Sequence, residues 1–269
     1  MKIRTGDVAV VTGAASGIGY GLAEAIGERG GRIVLSDVRE EAVIAAAERL
    51  RTSGVEAVAV VADVADAASV ANLAREAVNA YGAVHIVCNN AGLVSPSAPT
   101  WEQAESTWRR MIDVKIVGVV NGVRAFAPLL LKEGRGHILN TASSGGLAPL
   151  PTRSPYTATM HAVVGLTETL NVELRGAADG VGATVLCPGL VDTDLGRNSA
   201  ALGAIVLPAD APVSMRALHP DILSARQVAE AAIAAMEDDV VHVAPGAGVL
   251  ERAQQRVQSL LSDLERSQG

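Results

Sequence analysis

The chain has 269 residues, 49% of them hydrophobic, which is enough to build the core of one large α/β domain or of two small ones. Its net charge of −7 disfavours binding to nucleic-acid phosphates, and no uninterrupted apolar run approaches the roughly 18 residues of a membrane span. Because residues 1–7 also lack the apolar core of a secretion signal, we expect a cytoplasmic protein with a small-molecule ligand and no nucleic-acid or membrane partner.

The apolar residues form short β-branched runs that alternate with longer alanine-rich stretches. In chain order, we predict strand Asp7–Thr12, helix Gly17–Gly30, strand Arg32–Ser36, helix Glu40–Ser53, strand Val55–Val61, helix Asp66–Tyr81, strand Val84–Asn89, helix Trp108–Leu131, strand Gly136–Ala142, helix Ser154–Ala177, strand Val181–Cys187, helix Ala225–Asp238, strand Val240–Val243 and helix Val249–Arg266. Strands without polar alternation are typical of a sheet that helices cover on both faces. The repeated units predict a single α/β domain over residues 1–269, built on a doubly wound parallel sheet of about seven strands.

The stretch Leu190–Leu223 does not fit this alternation. It contains three prolines and many small residues, which is typical of a long functional loop. We therefore expect residues 190–223 to form a substrate-binding insertion or a mobile lid. The last predicted helix, residues 249–266, has leucines near helical spacing and could cover its own subunit or a neighbouring one.

A glycine-rich turn follows the first predicted strand and opens the first predicted helix. Glycine lets a backbone approach a pyrophosphate closely, and the N-terminus of a helix favours negative charge. The pattern predicts a dinucleotide-binding turn formed by Gly13, Ser16, Gly17, Ile18 and Gly19. A tight strand–helix turn without a ligand is the alternative interpretation.

Polar residues at the ends of the following strands extend this predicted site. Asp37 ends the second strand, where a carboxylate can accept hydrogen bonds from the ribose hydroxyls and repel a 2′-phosphate. This favours NAD over NADP as the cofactor, although Arg39 could in principle reach a phosphate. Ligands bind at the carboxyl ends of parallel strands, so we expect further contacts from Asp63, Val64, Asn90, Ala91 and Gly92.

Together with two later motifs, these segments resemble the short-chain dehydrogenase/reductase family. The later motifs are Ser143, followed 13 residues on by Tyr156, and the run Cys187-Pro188-Gly189 after the sixth strand. The resemblance covers roughly residues 7–189 and implies a Rossmann-type fold in which hydride moves between a substrate carbon and nicotinamide. It implies that Tyr156 exchanges the proton and Ser143 hydrogen-bonds the substrate oxygen. It further implies cofactor contacts from Tyr156, Pro188, Gly189 and Thr193.

Two positions depart from the family pattern. The resemblance implies a lysine four residues after the tyrosine, where this chain has Met160, and an asparagine on the long helix, where it has Lys115. Methionine carries no charge and donates no hydrogen bond, so it cannot favour a phenolate as a lysine does. We hypothesise that Lys115 reaches toward Tyr156 and replaces the lost cation as a catalytic residue. The alternatives are that Lys115 points to solvent or into a helix contact, or that His161 is the base.

The combined interpretation is an enzyme, an NAD-dependent oxidoreductase that interconverts a secondary alcohol and a ketone. The expected pocket walls (Ser95–Pro99, Leu147–Arg153 and Leu190–Leu223) are largely apolar, through Pro149, Leu150, Pro151, Leu195, Leu202 and Ile205, and favour a hydrophobic small-molecule substrate. The loss of the lysine leaves two alternatives: a non-redox cyclase, lyase or isomerase, and a catalytically impaired NAD-binding protein. The histidines and the two cysteines lack metal-ligand spacing, so we expect no metal. The resemblance also implies a homotetramer or a dimer.

Overall fold

A computed structural model describes residues 1–208, 214 and 221–268. Its strands are β1 (Val8–Thr12), β2 (Arg32–Asp37), β3 (Ala57–Val61), β4 (Ile86–Asn89), β5 (Gly136–Thr141), β6 (Val181–Leu186), β7 (Val191–Asp192), β8 (Leu223–Ser224) and β9 (His242–Val243). Seven of them form one parallel sheet in the order β3-β2-β1-β4-β5-β6-β9, and β7 pairs with β8 in a separate parallel ribbon. The predicted single-domain α/β fold with a seven-stranded, doubly wound parallel sheet is therefore confirmed. The strand order reverses between β1 and β4, and a crevice at such a point is where ligands bind in these sheets.

Helices cover both faces of the sheet. They are α1 (Gly17–Glu28), α2 (Glu40–Thr52), α3 (Ala67–Tyr81), α4 (Glu105–Ile112), α5 (Gly118–Glu133), α6 (Ser154–Ala177), α7 (Leu195–Ala201), α8 (Ala225–Glu237) and α9 (Val249–Arg266). In β1, Ala9 and Val11 belong to the core under α1, α2 and α8, whereas Val8 and Val10 belong to the core under α3, α5 and α6. Burial on both sides explains why the strand has no polar alternation.

The predicted helix Trp108–Leu131 begins earlier and is less regular than expected. Helix α4 continues without a break through a π-helical turn, Asp113–Val117, into α5. The combined helix, residues 105–133, is long and apolar enough to cross a membrane by length and composition alone, although polar residues interrupt its apolar runs. Phe126 and Leu130 are fully buried in the core, as expected of a helix packed within an α/β domain.

The stretch Leu190–Leu223 contains regular structure that the sequence pattern did not show, namely β7, α7 and the start of β8. These elements are short, and α7 contains glycine and asparagine, which are weak helix formers. Residues 209–213 and 215–220 of the predicted insertion lie outside the described residues. The insertion ends at α8, where the Ser224 hydroxyl accepts a hydrogen bond from the Gln227 backbone and the Gln227 side chain accepts one from the Ser224 backbone. This capping box specifies the start of α8.

Candidate active site

A cavity of about 680 Å³ opens at the carboxyl ends of the central strands, where the strand order reverses. The predicted cofactor and catalytic residues, with one exception, line this cavity. They are Gly13, Ser16, Gly17, Ile18, Asp37, Asp63, Val64, Asn90, Ala91, Gly92, Lys115, Ser143, Tyr156, Pro188, Gly189 and Thr193. The fold thus brings together residues that lie up to 180 positions apart in the chain.

The exception is Gly19, which does not line the cavity among the described residues. A Cβ at this position would collide with the Gly13 carbonyl oxygen, so the residue allows α1 to approach the preceding turn. Gly13 itself has a φ of +62°, and a Cβ there would lie 2.8 Å from the Ala91 Cα. Glycine at these two positions therefore lets the turn, α1 and the segment after β4 pack closely, rather than only exposing backbone to a ligand.

The segment that follows β4 is attached to the end of β1. The Asn90 side chain donates to the Thr12 carbonyl oxygen at 3.1 Å, and the Thr12 hydroxyl accepts the backbone N–H groups of Asn90 and Ala91. These bonds fix one wall of the cavity on the rigid sheet. The arrangement explains why this segment and the glycine turn form a single surface.

A polar network spans the cavity near the end of β2. The Asp37 carboxylate accepts hydrogen bonds from the Ala15 backbone and from the Arg39 guanidinium, whose Nε lies 3.0 Å from Oδ1. Arg39 also donates to the Asn198 side chain at 2.7 Å, and Asn198 donates to the Ser16 hydroxyl at 2.9 Å. Helix α7 is thereby connected to both β2 and the glycine turn. No local sequence pattern indicates a role for Asn198, because its partners are distant in the chain.

These residues fit a dinucleotide. The close-packed glycine turn leaves room for a pyrophosphate at the N-terminus of α1, which carries partial positive charge. The carboxylate of Asp37 borders the same cavity and is 7% exposed. Its position at the end of β2 suits a ribose of the dinucleotide.

Ser143 and Tyr156 lie together at the other end of the cavity. Ser143 follows β5 directly, and its hydroxyl accepts the Gly145 backbone N–H at 3.2 Å. Tyr156 lies in the first turn of α6. Burial raises the pKa of the Tyr156 phenol, while the Ser143 hydroxyl and the positive charge of Arg153 act in the opposite direction. This pair can bind an oxygen atom and exchange a proton with it.

Lys115 reaches the cavity from the π-helical turn. Its side chain is 4% exposed, and its Nζ donates to the Thr141 carbonyl oxygen at 3.4 Å. A Cβ on Gly92 would lie 2.5 Å from the Nζ, which places the ammonium between the ends of β4 and β5. Burial lowers the pKa of Lys115 from 10.5 to about 8. The side chain therefore does not point to solvent, and among the described residues no hydrogen bond joins it to Tyr156.

Met160 lies away from the cavity. Its side chain is fully buried in an apolar cluster with Val163, Val164, Val185 and Cys187, and it is not among the described residues that line the cavity. His161, the alternative base, hydrogen-bonds through Nδ1 with the Thr157 carbonyl oxygen and is also absent from that lining. The only ammonium group that borders the cavity, within the described part of the chain, is that of Lys115.

The remaining cavity wall differs in part from the prediction. Apolar side chains dominate it, namely Leu93, Val94, Leu150, Leu195, Leu202, Ile205 and Leu207. The segment Ser95–Pro99, Pro149 and Pro151 do not line the described cavity. The segment instead packs behind the wall, where Arg153 donates to the Ser95 carbonyl oxygen. Arg153, at the end of the predicted wall Leu147–Arg153, borders the cavity, and so does Arg252, which the sequence pattern did not indicate and which comes from α9.

The profile of the short chain dehydrogenase family matches residues 7–202. The chain belongs to this family. It is similar to 1-deoxy-11-beta-hydroxypentalenate dehydrogenase of Streptomyces exfoliatus, with 39% identity over 197 residues, which cover 72% of this chain and 70% of that protein.

Two solved structures extend the family likeness to the whole fold. A short chain dehydrogenase/reductase from Burkholderia phymatum, in complex with NAD, is 34% identical with a TM-score of 0.87 and covers 98% of this chain and 97% of that one. The 3-ketoacyl-(acyl-carrier-protein) reductase from Brucella melitensis, complexed with NADH, is 25% identical with a TM-score of 0.78. The match covers 91% of this chain and 98% of that one. Within the described ranges, no group of three or more His, Cys, Asp or Glu side chains could hold a metal ion. Among the described residues, the cavity of this short-chain dehydrogenase is bordered by the residues of its dinucleotide site and by Ser143, Tyr156 and Lys115.

Proposed function

We propose that this short-chain dehydrogenase is an NAD-dependent oxidoreductase that interconverts a secondary alcohol and a ketone on a largely apolar small molecule. The observation that carries the proposal is that Ser143 and Tyr156 share one cavity with the glycine turn and Asp37. A proton-exchanging pair next to a dinucleotide site is the arrangement that hydride transfer to or from a carbonyl carbon requires.

The choice of NAD is supported by the polar network at the end of β2. The carboxylate of Asp37 can accept the ribose hydroxyls and would repel a 2′-phosphate. Arg39, the cation that could attract such a phosphate, is paired with this carboxylate. The Burkholderia phymatum relative, solved with NAD, is consistent with this choice. The bound nicotinamide would supply the hydride chemistry.

The residues of the chain have distinct roles in the proposed reaction. Ser143 hydrogen-bonds the substrate oxygen and holds it beside Tyr156. In the oxidative direction, the Tyr156 oxygen takes the hydroxyl proton of the alcohol, and in the reductive direction it gives a proton to the ketone oxygen. Lys115 supplies the positive charge of the site, which favours the phenolate form of Tyr156 electrostatically. The carbonyl oxygen of Thr141 anchors the Lys115 ammonium.

The wall of the cavity supports an apolar substrate with one charged or strongly polar group. Leucine and isoleucine side chains from α7 and the segment after it form much of the surface. Arg153 and Arg252 also border the cavity, and each has guanidinium N–H groups suited to a carboxylate. We also propose that the protein is cytoplasmic. We further propose that it forms a homo-oligomer through α5 and α6, where Val120, Val123 and Leu166 line a groove.

The proposal is tested by following nicotinamide absorbance with NAD or NADH and a panel of secondary alcohols and ketones. We expect turnover by the wild type and a rate about 10²–10⁴-fold lower for Tyr156→Phe. Calorimetric titration should show that this variant still binds NAD, because the exchange removes one hydroxyl group only. Tight binding of NAD without turnover of any alcohol or ketone would contradict the redox proposal. That result would favour a non-redox enzyme or a catalytically impaired NAD-binding protein.

A further inference from the structure

Helix α9 extends away from the body of the protein. Val249 in its first turn is buried, but every residue from 254 to 268 is exposed. The exposed part of the helix, residues 254–266, has a length at which an isolated helix is only marginally stable in water. Exposed apolar side chains on such a helix are typical of an interaction surface.

The apolar residues of α9 form a seam with heptad spacing. Leu250, Val257 and Leu264 are seven residues apart, and Leu260 lies between the last two, followed directly by Leu261. Val257, Leu260, Leu261 and Leu264 are each between 46% and 52% exposed. Apolar residues that alternate at spacings of three and four are the pattern of a coiled-coil seam. The seam is therefore suited to a second helix.

We propose that α9 pairs with α9 of a second copy of this chain in an antiparallel, two-fold symmetric contact. In this alignment Val257 of one copy packs against Leu260 of the other, and Leu264 packs against Ala253. The contact uses the same surface on both copies, so it closes on itself and forms a dimer. It lies outside the α5–α6 groove, so it adds an interface to the oligomer proposed above.

Charge complementarity favours α9 of a second copy as the partner helix and favours the antiparallel orientation of the pair. Arg256 and Asp263 flank the seam on the same side, each directly before a seam residue. In the antiparallel pair, Arg256 of one copy faces Asp263 of the other, and the symmetry repeats this ion pair. In a parallel pair the same two side chains would face Leu261 and Gln268, with no ion pair.

The charge balance of α9 disfavours a membrane surface as the occupant. The helix has three basic and three acidic residues, Arg252, Arg256, Arg266, Glu251, Asp263 and Glu265. Helices that bind anionic lipid surfaces carry an excess of Lys and Arg on their polar face. A second copy of α9, which is neutral overall and carries the reciprocal order of charges, fits the seam better than a lipid surface does.

The first test measures self-association of the full chain by analytical ultracentrifugation. Arg256→Glu and Asp263→Arg should each weaken the α9-dependent association step by roughly tenfold in dissociation constant, since each places like charges opposite one another. The double variant Arg256→Glu/Asp263→Arg should restore it. Asp263 is also ion-paired with Arg266 of its own helix, so the matched control is Glu265→Arg, a charge reversal off the seam on the same helix, which should leave association unchanged. Failure of the double variant to restore association would overturn the proposed pairing.

The second test uses crosslinking, because an α5–α6 interface could hold the copies together independently. Under oxidation, Val257→Cys/Leu260→Cys should give a covalent dimer in a denaturing gel, since these positions meet across the antiparallel contact. The native cysteines, Cys88 and Cys187, are buried and provide the background level in the unmutated chain. A dimer that forms equally well with Val257→Cys alone indicates a parallel pair and refutes the proposal. No dimer above background refutes it as well.

Discussion

Replacement of Lys115 by methionine should raise the stability of the protein while it lowers activity. The exchange keeps the length of the side chain and removes the charge. Burial lowers the pKa of Lys115 from 10.5 to about 8. This change means that burial destabilises the charged form of the side chain by roughly 3 kcal/mol. Below pH 8 the folded protein bears this cost, and the unfolded chain does not. Lys115→Met should therefore increase the free energy of unfolding at pH 7 by roughly 1–3 kcal/mol.

The sign of the pH dependence follows from the same pKa. Between pH 8 and 10.5, Lys115 is protonated in the unfolded chain and largely neutral in the folded protein. The free energy of unfolding of the wild type therefore rises with pH through that range. The difference in the free energy of unfolding between Lys115→Met and the wild type should shrink over the same interval. Urea unfolding at pH 7, 8.5 and 10 measures the difference directly.

The activity of the same variant tests the proposed role of the ammonium. We expect kcat/KM to fall by roughly 10²-fold, in the range found for groups that assist proton transfer. The wild-type pH–rate profile should have a limb near pH 8 that Lys115→Met lacks. Lys132→Met is the matched control, because Lys132 is an exposed lysine on α5; it should change neither stability nor turnover. Unchanged turnover and an unshifted profile in Lys115→Met would refute the reasoning.

Three further predictions concern single residues. Asp37→Ala frees Arg39 from its ion pair, so we expect the ratio of kcat/KM for NADP to that for NAD to rise at least tenfold; an unchanged ratio would show that Asp37 does not select the cofactor. Gly92→Ala places a methyl group 2.5 Å from the Lys115 Nζ and should lower kcat about tenfold with little change in Tm, because a flexible side chain can move aside. Burial lowers the pKa of His137 to about 3, so the folded state binds fewer protons than the unfolded chain between pH 6.5 and 3 and loses stability on acidification. His137→Gln should flatten this loss in urea titrations at pH 7 and pH 5, whereas an equal loss in both proteins would assign it to other groups.

The fold was predictable because the sheet is buried on both faces. Strand β1 shows why: Val8 to Val11 are all apolar since successive side chains enter different cores, and this pattern is visible in a single sequence. Helix α7 was not predictable in the same way. It is held over the cavity by contacts such as the one between Asn198 and Ser16, which join distant residues and leave no periodic signal.

In the candidate site too, residues in local motifs were predictable and residues placed by long-range packing were not. Residues in local motifs, such as Ser143 and the glycine turn, were identified from spacing and do line the cavity. Gly19 belongs to the same motif, yet its close approach to the Gly13 carbonyl oxygen depends on how α1 packs. Arg252 reaches the cavity only because α9 starts beside Gly189. No local pattern carries that information.

The two departures at the site should depend on one another. Met160 sits in an apolar cluster, so Met160→Lys alone should bury a second ammonium among apolar side chains, which is costly without a partner. Lys115→Asn alone should remove the only buried ammonium of the described cavity. The double variant regains a single charge in the arrangement that the family resemblance implies, so its kcat/KM with NAD should exceed that of either single variant. Strictly additive losses across this double-mutant cycle would show that Lys115 and Met160 are not exchanging one function.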